Sequence, residues 1–380
     1  FRSLSKIESD DTFCDKFIDT TKYKLCFRNG VLDIRTKEFN DWKKCNNIYT
    51  MVIINYDYEI KKNEKYIKEV EELMLEPILG YQKKKFLKYY ARRMAGCIED
   101  KHWSIFIGER NCGKGKIQNL LENTFQDYIN TLNCGTFIYQ KRIGKVDEEK
   151  NLSYLLDCRN SRASMVQEIE SDKNIKMCGT TIKKFNSGGD KNKARQLFKE
   201  PIEFKIQSSL SFSFNDVPEI VPTDCLETLI LFNGVHQFKT EEYIKNKEKN
   251  GASKKELKNY IIMDITISDK IKDQNWINAF LHLIIDSYEN KPVSIEDDID
   301  KIELDEFKQD GADDYEFVLK SFEITDDEKN VINNDDLKKF IDNNNLTISL
   351  IKLNKRLRNI GAFPYRDKLE RGLKNIKLKI

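Results

Sequence analysis

The chain has 380 residues, 39% of them hydrophobic and 34% charged, with a formal net charge of +2. That length allows two or three domains, each with its own core, and the near-neutral balance excludes a uniformly basic nucleic-acid coat while leaving room for local basic surfaces. No run approaches the roughly 18 apolar residues of a membrane span, and nine cysteines without a CxxC pair, beside three histidines, argue against a zinc centre or a disulfide scaffold and for a reducing compartment.

The first residue is Phe1 and no signal-peptide pattern follows, so the chain is expected to be a piece of a longer protein. Residues 1–62 read as a small mixed region. In it "KLCFRNGVLDIRTKEFN" sets two short apolar runs around Asn29 and Gly30, which favours a tight turn. "IYTMVIINYDYEI", rich in β-branched and aromatic residues, predicts a strand. Residues 63–100 turn helical: Leu87, Tyr90, Ala91, Met94, Ala95 and Ile98 keep the spacing of one apolar face.

From Lys101 to residue 290 short apolar runs alternate with helical stretches. "WSIFI", "ASMVQ", "IEFKI", "LSFSF" and "TLILF" predict a buried sheet in an α/β domain. The lysine-rich "KTEEYIKNKEKNGASKKELKN" reads as an exposed helix and loop, and "WINAFLHLIIDSY" as a packed helix. An acidic stretch over 291–314 reads as a solvated linker, because like charges resist compaction. Residues 315–380 then form a small separate domain.

The sharpest local signal is "WSIFI" followed by "GERNCGKGKIQNLLENTF", a strand, a glycine loop and a helix. Backbone N–H groups of Gly108, Glu109, Arg110, Asn111, Cys112, Gly113, Lys114, Gly115 and Lys116 could cradle phosphate at a helix N-terminus, with Lys114 reaching the β- and γ-phosphates of ATP. The plainer reading is a glycine turn without a ligand. A loop of the pattern GxxxxGK[ST] has a hydroxyl after its lysine, and here Gly115 stands there. Downstream, "SRASMVQEIES" ends an apolar strand at Glu168, with Glu170 two residues on. A carboxylate so placed can hold Mg²⁺ or polarise an attacking water. "LSFSFNDVP" points Leu210, Phe212 and Phe214 to one face and stops at Asn215, which could sense a γ-phosphate or simply open a loop before Pro218.

In order and spacing these segments resemble superfamily 3 helicases of the poxvirus-type primase-helicase group. "GERNCGKG" resembles that family's GxxNxGK[ST] loop, "MVQEIES" its acidic strand end, "IKKFNSGGDKNKARQLFKE" the segment before its sensor, and "FSFNDVPEI" the sensor motif with its asparagine at Asn215. "LCFRNGVLDIRTKEF" resembles the preface to its helicase domain. The resemblance implies a P-loop, AAA+-like α/β domain in a hexameric ring, using ATP and Mg²⁺ to translocate on single-stranded or forked DNA during replication. It places the metal at Glu168 and catalysis on Lys114, Glu168, Glu170 and Asn215. It also implies an upstream primase domain or other replication partners, and a cytoplasmic or viral replication compartment. Lys183, Lys184, Lys191, Lys193 and Arg195 fall where the family directs a hairpin at DNA; clustered cations suit a phosphate backbone, and equally a solvated loop. Two departures stand out: Gly115 for the hydroxyl, and Glu227 and Thr228 where the family carries an arginine pair. Both predict weak hydrolysis with nucleotide binding kept, leaving a nucleotide- and DNA-binding scaffold as the alternative.

The tail has its own pattern. Leu337, Phe340 and Ile341 mark one helix; Leu350, Leu353, Leu357 and Ile360 mark a second, stopped at Gly361; β-like segments then flank Arg371 and Gly372. That order resembles a winged helix. Lys352, Lys355, Arg356 and Arg358 lie off the apolar seam of the second helix, and Arg366, Lys368, Arg371, Lys374 and Lys377 sit in the wing. DNA contact and protein docking both remain open there.

Overall fold

A computed structural model describes residues 20–138, 154–167, 176–194, 202–215, 218–252, 254–294, 321–325, 327, 330–344, 353, 357, 362–366 and 371–378. The chain divides into two units, Phe1–Ile295 and Glu296–Ile380.

The first unit opens with a meander of β1 (Lys24–Phe27), β2 (Gly30–Asp33) and β3 (Phe39–Asp41). Phe27 pairs with Gly30, so Arg28 and Asn29 form the turn and Gly30 already belongs to β2. The run "IYTMVIINYDYEI" differs from its expectation. It is extended, and Val52, Ile54, Tyr56 and Tyr58 are buried while Met51 and Ile53 face out. Yet it makes only an isolated bridge, Phe27 to Ile54, because Arg28 N–H is shared between the carbonyls of Ile54 and Tyr56 and breaks the ladder.

Helix α1 (Glu64–Val70) and, after a short irregular helical passage, α2 (Lys83–Met94) follow. The seam of α2 is apolar as its spacing predicts, but the far side of its last turn is buried too. Arg92 and Arg93 are almost fully enclosed and converge on the Asp100 carboxylate at 2.6 and 2.7 Å. The two guanidiniums outweigh the burial of Asp100 and hold its carboxyl below the usual range.

Next come β4 (Trp103–Ile107), α3 (Lys114–Phe125), β5 (Ile129–Asn133), β6 (Ala163–Gln167), β7 (Lys176–Cys178), α4 (Gly179–Phe185), β8 (Lys191–Ala194), β9 (Ile202–Lys205), β10 (Ser209–Phe214), β11 (Glu219–Val221) and β12 (Leu229–Asn233). Five of these strands build one parallel sheet in the order β12-β4-β10-β6-β5. Four of the five apolar runs singled out in the sequence are its members. "IEFKI" is the exception: β9 leaves the sheet and pairs antiparallel with β8, Lys193 opposite Glu203. Its place is taken by β5, "INTLN", an edge strand whose polar residues hide it from a search for apolar runs.

One face of the sheet, with Phe106, Met165, Ile230 and Phe232, packs in a continuous core with α2, α3 and α6 (Gln274–Asp286). The other face carries Trp103 and Phe212, against which Phe137 and, behind it, Phe185 stack edge-on. A sheet buried on both faces explains the unbroken apolar runs. Between β12 and α6 lie β13 (Gln237–Lys239), the exposed helix α5 (Glu241–Lys249) and β14 (Tyr260–Ile262), with β13 and β14 paired in parallel.

The second unit contains β15 (Phe322–Ile324), β16 (Val331–Asn333), α7 (Asn334–Asn343), β17 (Phe363–Arg366), β18 (Arg371–Lys374) and β19 (Ile376–Leu378). The α7 helix bears out the Leu337, Phe340 and Ile341 spacing, and Asn333 caps it by accepting from Asp336 N. Leu353 and Leu357 are fully buried in the same core; Leu350, Ile360 and Gly361 lie outside the described residues. Arg371 and Gly372 are not a turn, because Arg371 pairs with Arg366 across the β17–β18 ladder.

Candidate functional site

All five strands of the central sheet point the same way, so the segments leaving β4, β10 and β6 emerge at one edge, where ligands bind in open parallel sheets. Gly108 follows β4 and donates to the Phe214 carbonyl at 3.2 Å, tying the glycine loop to the end of β10. Asn111 takes a left-handed backbone, φ +70°, and its carbonyl accepts from Phe238 N on β13 at 2.9 Å. Cys112 is buried, its sulfur wedged between Gly108 and Gly234. Gly113 closes the loop at φ +95°, and a Cβ there would sit 2.5 Å from Ile78 Cδ1. Both facts demand glycine.

Lys114 is the first residue of α3. Its ammonium donates to the Gly108 carbonyl and to Asn215 Oδ1, the latter at 3.0 Å. The loop after β4 and the end of β10 thus share one cation at a helix N-terminus, where the macrodipole favours anions. Lys116, two residues on, donates to Ser268 Oγ at 2.7 Å. Gly115 between them has no atom within 4 Å of the place a Cβ would occupy.

These residues open onto a cavity of about 600 Å³ that Glu109 to Lys116, Asn119 and Asn215 line on one side. The rest of the wall is mostly apolar: Leu73, Met74, Pro77 and Ile78 before α2, Phe238 from β13, Ile262 at the end of β14 and Met263 just after it, beside Glu72 and Asp264. That wall is fastened in place. Val235 N donates to the Ile78 carbonyl at 3.0 Å, and the His236 ring lies 2.8 Å from the Pro77 carbonyl. The buried Gln82 side chain both accepts from Asn233 N at 3.1 Å and donates to its carbonyl at 3.3 Å. Sequence reasoning missed this wall, since its parts are far apart along the chain and carry no motif.

The structure therefore brings together Gly108 to Lys116 and Asn215. Glu168 and Glu170 lie outside the described residues; β6 ends one residue earlier, at Gln167. Lys183 and Lys184 sit exposed on the last turn of α4, where Lys183 pairs with Asp224 at 2.6 Å. Lys191 and Lys193 project from the same face of β8 and lie 4.0 and 3.3 Å from Glu203. Arg195, Lys352, Lys355, Arg356, Arg358 and Lys368 lie outside the described residues.

The cavity fits a nucleotide: a glycine loop leading into a helix N-terminus, two lysines, and an apolar wall for a base. Gly115 offers no oxygen, and among the described residues no cluster of three His, Cys, Asp or Glu side chains could hold a metal. Nor is any helix among them long and apolar enough to cross a membrane.

Residues 5–76 match the family described as D5 N terminal like. A Sputnik virophage protein provisionally named a helicase is 28% identical over 272 residues, 70% of this chain and 32% of its own length. A similarly named protein of Acanthamoeba polyphaga mimivirus is 25% identical over 285 residues, 70% of this chain and 27% of its own. The chain thus spans about a third or less of these relatives. Among solved structures, the apo C-terminal region of NrS-1 is similar at 12% identity and a TM-score of 0.44, over 84% of this chain and 77% of that one. The chain is thus similar over residues 5–76 to the D5 N terminal like family, and over 70% of its length to two viral proteins provisionally named helicases.

Proposed function

We propose that the chain is the nucleotide-driven helicase module of a viral-type replication protein, binding ATP in the cavity beside Lys114. The observation that carries this reading is the Lys114 ammonium held between the Gly108 carbonyl and Asn215 Oδ1 at the sheet edge. Phosphate oxygens would take over from those two neutral acceptors, since an ion pair with phosphate is the stronger contact. Asn215 would then be released to meet the terminal phosphate or orient water. Glu168 and Glu170, just beyond β6, are the carboxylates proposed to polarise that water. The base would lie against Pro77, Ile78 and Phe238.

The same reading assigns single-stranded or forked DNA as the track and a ring of copies, six by family resemblance, as the working form. Residues 1–62, 63–100, 101–290, 291–314 and 315–380 would be preface, collar, AAA+-like motor, linker and winged helix. Lys183, Lys184, Lys191, Lys193 and Arg195, with the basic residues of the tail, are the proposed DNA contacts. Lys183, Lys191 and Lys193 would first have to exchange Asp224 or Glu203 for DNA, which makes binding steeply salt-dependent.

The test measures ATP binding, DNA-stimulated ATP hydrolysis and strand separation by the native chain and by Lys114→Ala. Binding and turnover that vanish in Lys114→Ala support the reading. Equal activity in both proteins refutes it.

A further inference from the structure

The lysines of this cavity have neutral partners. Lys114 and Lys116 both bond only neutral acceptors, a backbone carbonyl, a carboxamide and a hydroxyl, and among the described residues no carboxylate pairs with either. The carboxylates that do line the cavity are largely engaged elsewhere. Glu72 pairs with Lys68 at 3.6 Å, and Asp264 accepts from Thr266 and lies 3.6 Å from Lys270. Glu109 lines the cavity together with Arg110, Lys114 and Lys116.

Between the two lysines, at Gly115, a hydroxyl that would ligate a divalent ion is absent and the space is open. A polyphosphate entering here meets two ammonium groups and a helix N-terminus, with no hydroxyl after the loop lysine for an ion to bind; the oxygen-bearing side chains of the loop at the cavity are Glu109 and Asn111. Lys114 and Lys116 bring positive charge to the cavity without a metal.

We propose that Lys116 is a second phosphate-binding cation of this cavity, and that with it the chain holds a nucleoside triphosphate with little dependence on a divalent ion. Ser268 is the positioning residue: its hydroxyl holds the Lys116 ammonium at the cavity and yields it to phosphate as a neutral partner can. This inference rests on the cavity beside Lys114 being a nucleotide site.

The experiment is a titration of the full chain with a fluorescent, non-hydrolysable ATP analogue, in Mg²⁺ and in excess EDTA. The native chain is expected to bind with affinities within about 3-fold of each other in the two buffers. Lys116→Met is expected to lose about 10-fold or more in both, the loss of one charge-assisted hydrogen bond, with Lys116→Arg recovering most of it. Gly115→Ser is expected to tighten binding in Mg²⁺ only. If Lys114→Ala loses binding while Lys116→Met binds as the native chain does, the role of Lys116 is overturned and the nucleotide site stands. A fall of about 30-fold or more for the native chain in EDTA overturns the metal independence. If the native chain binds no analogue, or Lys114→Ala binds it unchanged, the site reading itself fails.

Discussion

Lys114 Nζ lies 3.0 Å from Asn215 Oδ1, joining the first residue of α3 to the residue that follows β10. These two side chains are far apart in sequence and meet because β4 and β10 are hydrogen-bonded neighbours, Ile107 opposite Phe214. The contact separates their roles. Lys114→Ala should weaken nucleotide binding by about 10-fold or more, as expected for one lost ionic hydrogen bond. Asn215→Ala should leave binding within about 3-fold while hydrolysis falls at least about 10-fold, the pattern of a group that acts on the transition state. Equilibrium binding beside single-turnover kinetics distinguishes the two.

Gly115 is dispensable to the fold. Its added Cβ would meet nothing, it lacks a positive φ, and it sits in the first turn of a helix, where serine is at least as favourable as glycine. Gly115→Ser should leave the melting temperature unchanged or raised by a degree or two, a gain of about 0.5 kcal/mol, and should raise Mg²⁺-supported ATP turnover. Calorimetric melting and a phosphate-release assay read the two effects separately.

Gly96 is the opposite case. Its φ is +76°, and a Cβ would fall 1.6 Å from Nη1 of Arg162, a fully buried residue whose other terminal nitrogen donates to the Thr21 carbonyl at 2.7 Å. Arg162 cannot withdraw without leaving its guanidinium without that partner. Gly96→Ala should therefore cost more than about 3 kcal/mol, strained backbone and overpacking together. Urea unfolding that shows less than about 1 kcal/mol would contradict this.

Acid should loosen the first unit. Burial and the neighbouring Arg93 and Arg92 push the His102 imidazole down to about 4, with Asp100 opposing them. The unfolded chain, whose histidine titrates near 6.5, binds the proton first. His102 therefore contributes nothing to the pH dependence above 6.5, and its protonation destabilises the fold as pH falls from 6.5 towards 4, by up to roughly 3 kcal/mol. Asp100, held low, adds a loss in the same direction at still lower pH. Melting temperatures measured across this window should slope downward, and His102→Leu should flatten the upper part of the slope.

The sequence carried the central sheet well, because strands buried on both faces must be written as unbroken apolar runs. It carried the glycine loop and Asn215 for a different reason: a motif of fixed residue types at fixed spacing marks both positions. Three features were hidden. The polar edge strand β5 has no apolar run to announce it. Arg92 and Arg93 look like a solvated end of α2 until Asp100, eight and seven residues on, is seen to gather them. The apolar wall of the cavity joins Pro77 and Ile78 to Phe238 and Met263, a meeting that depends on tertiary pairing rather than on any local spacing.

The Gln82 carboxamide bonds both the N–H and the carbonyl of Asn233, and Lys85 donates to the Leu231 carbonyl at 3.1 Å. β12 is the outermost strand on that side, so two side chains from around the start of α2 occupy its outward-facing backbone groups as another strand would. They act as a stopper against sheet-to-sheet accretion when the protein is concentrated. Removing them with Gln82→Ala and Lys85→Ala would turn a sealed margin into an adhesive one, visible as turbidity on storage well before any loss of helix or sheet.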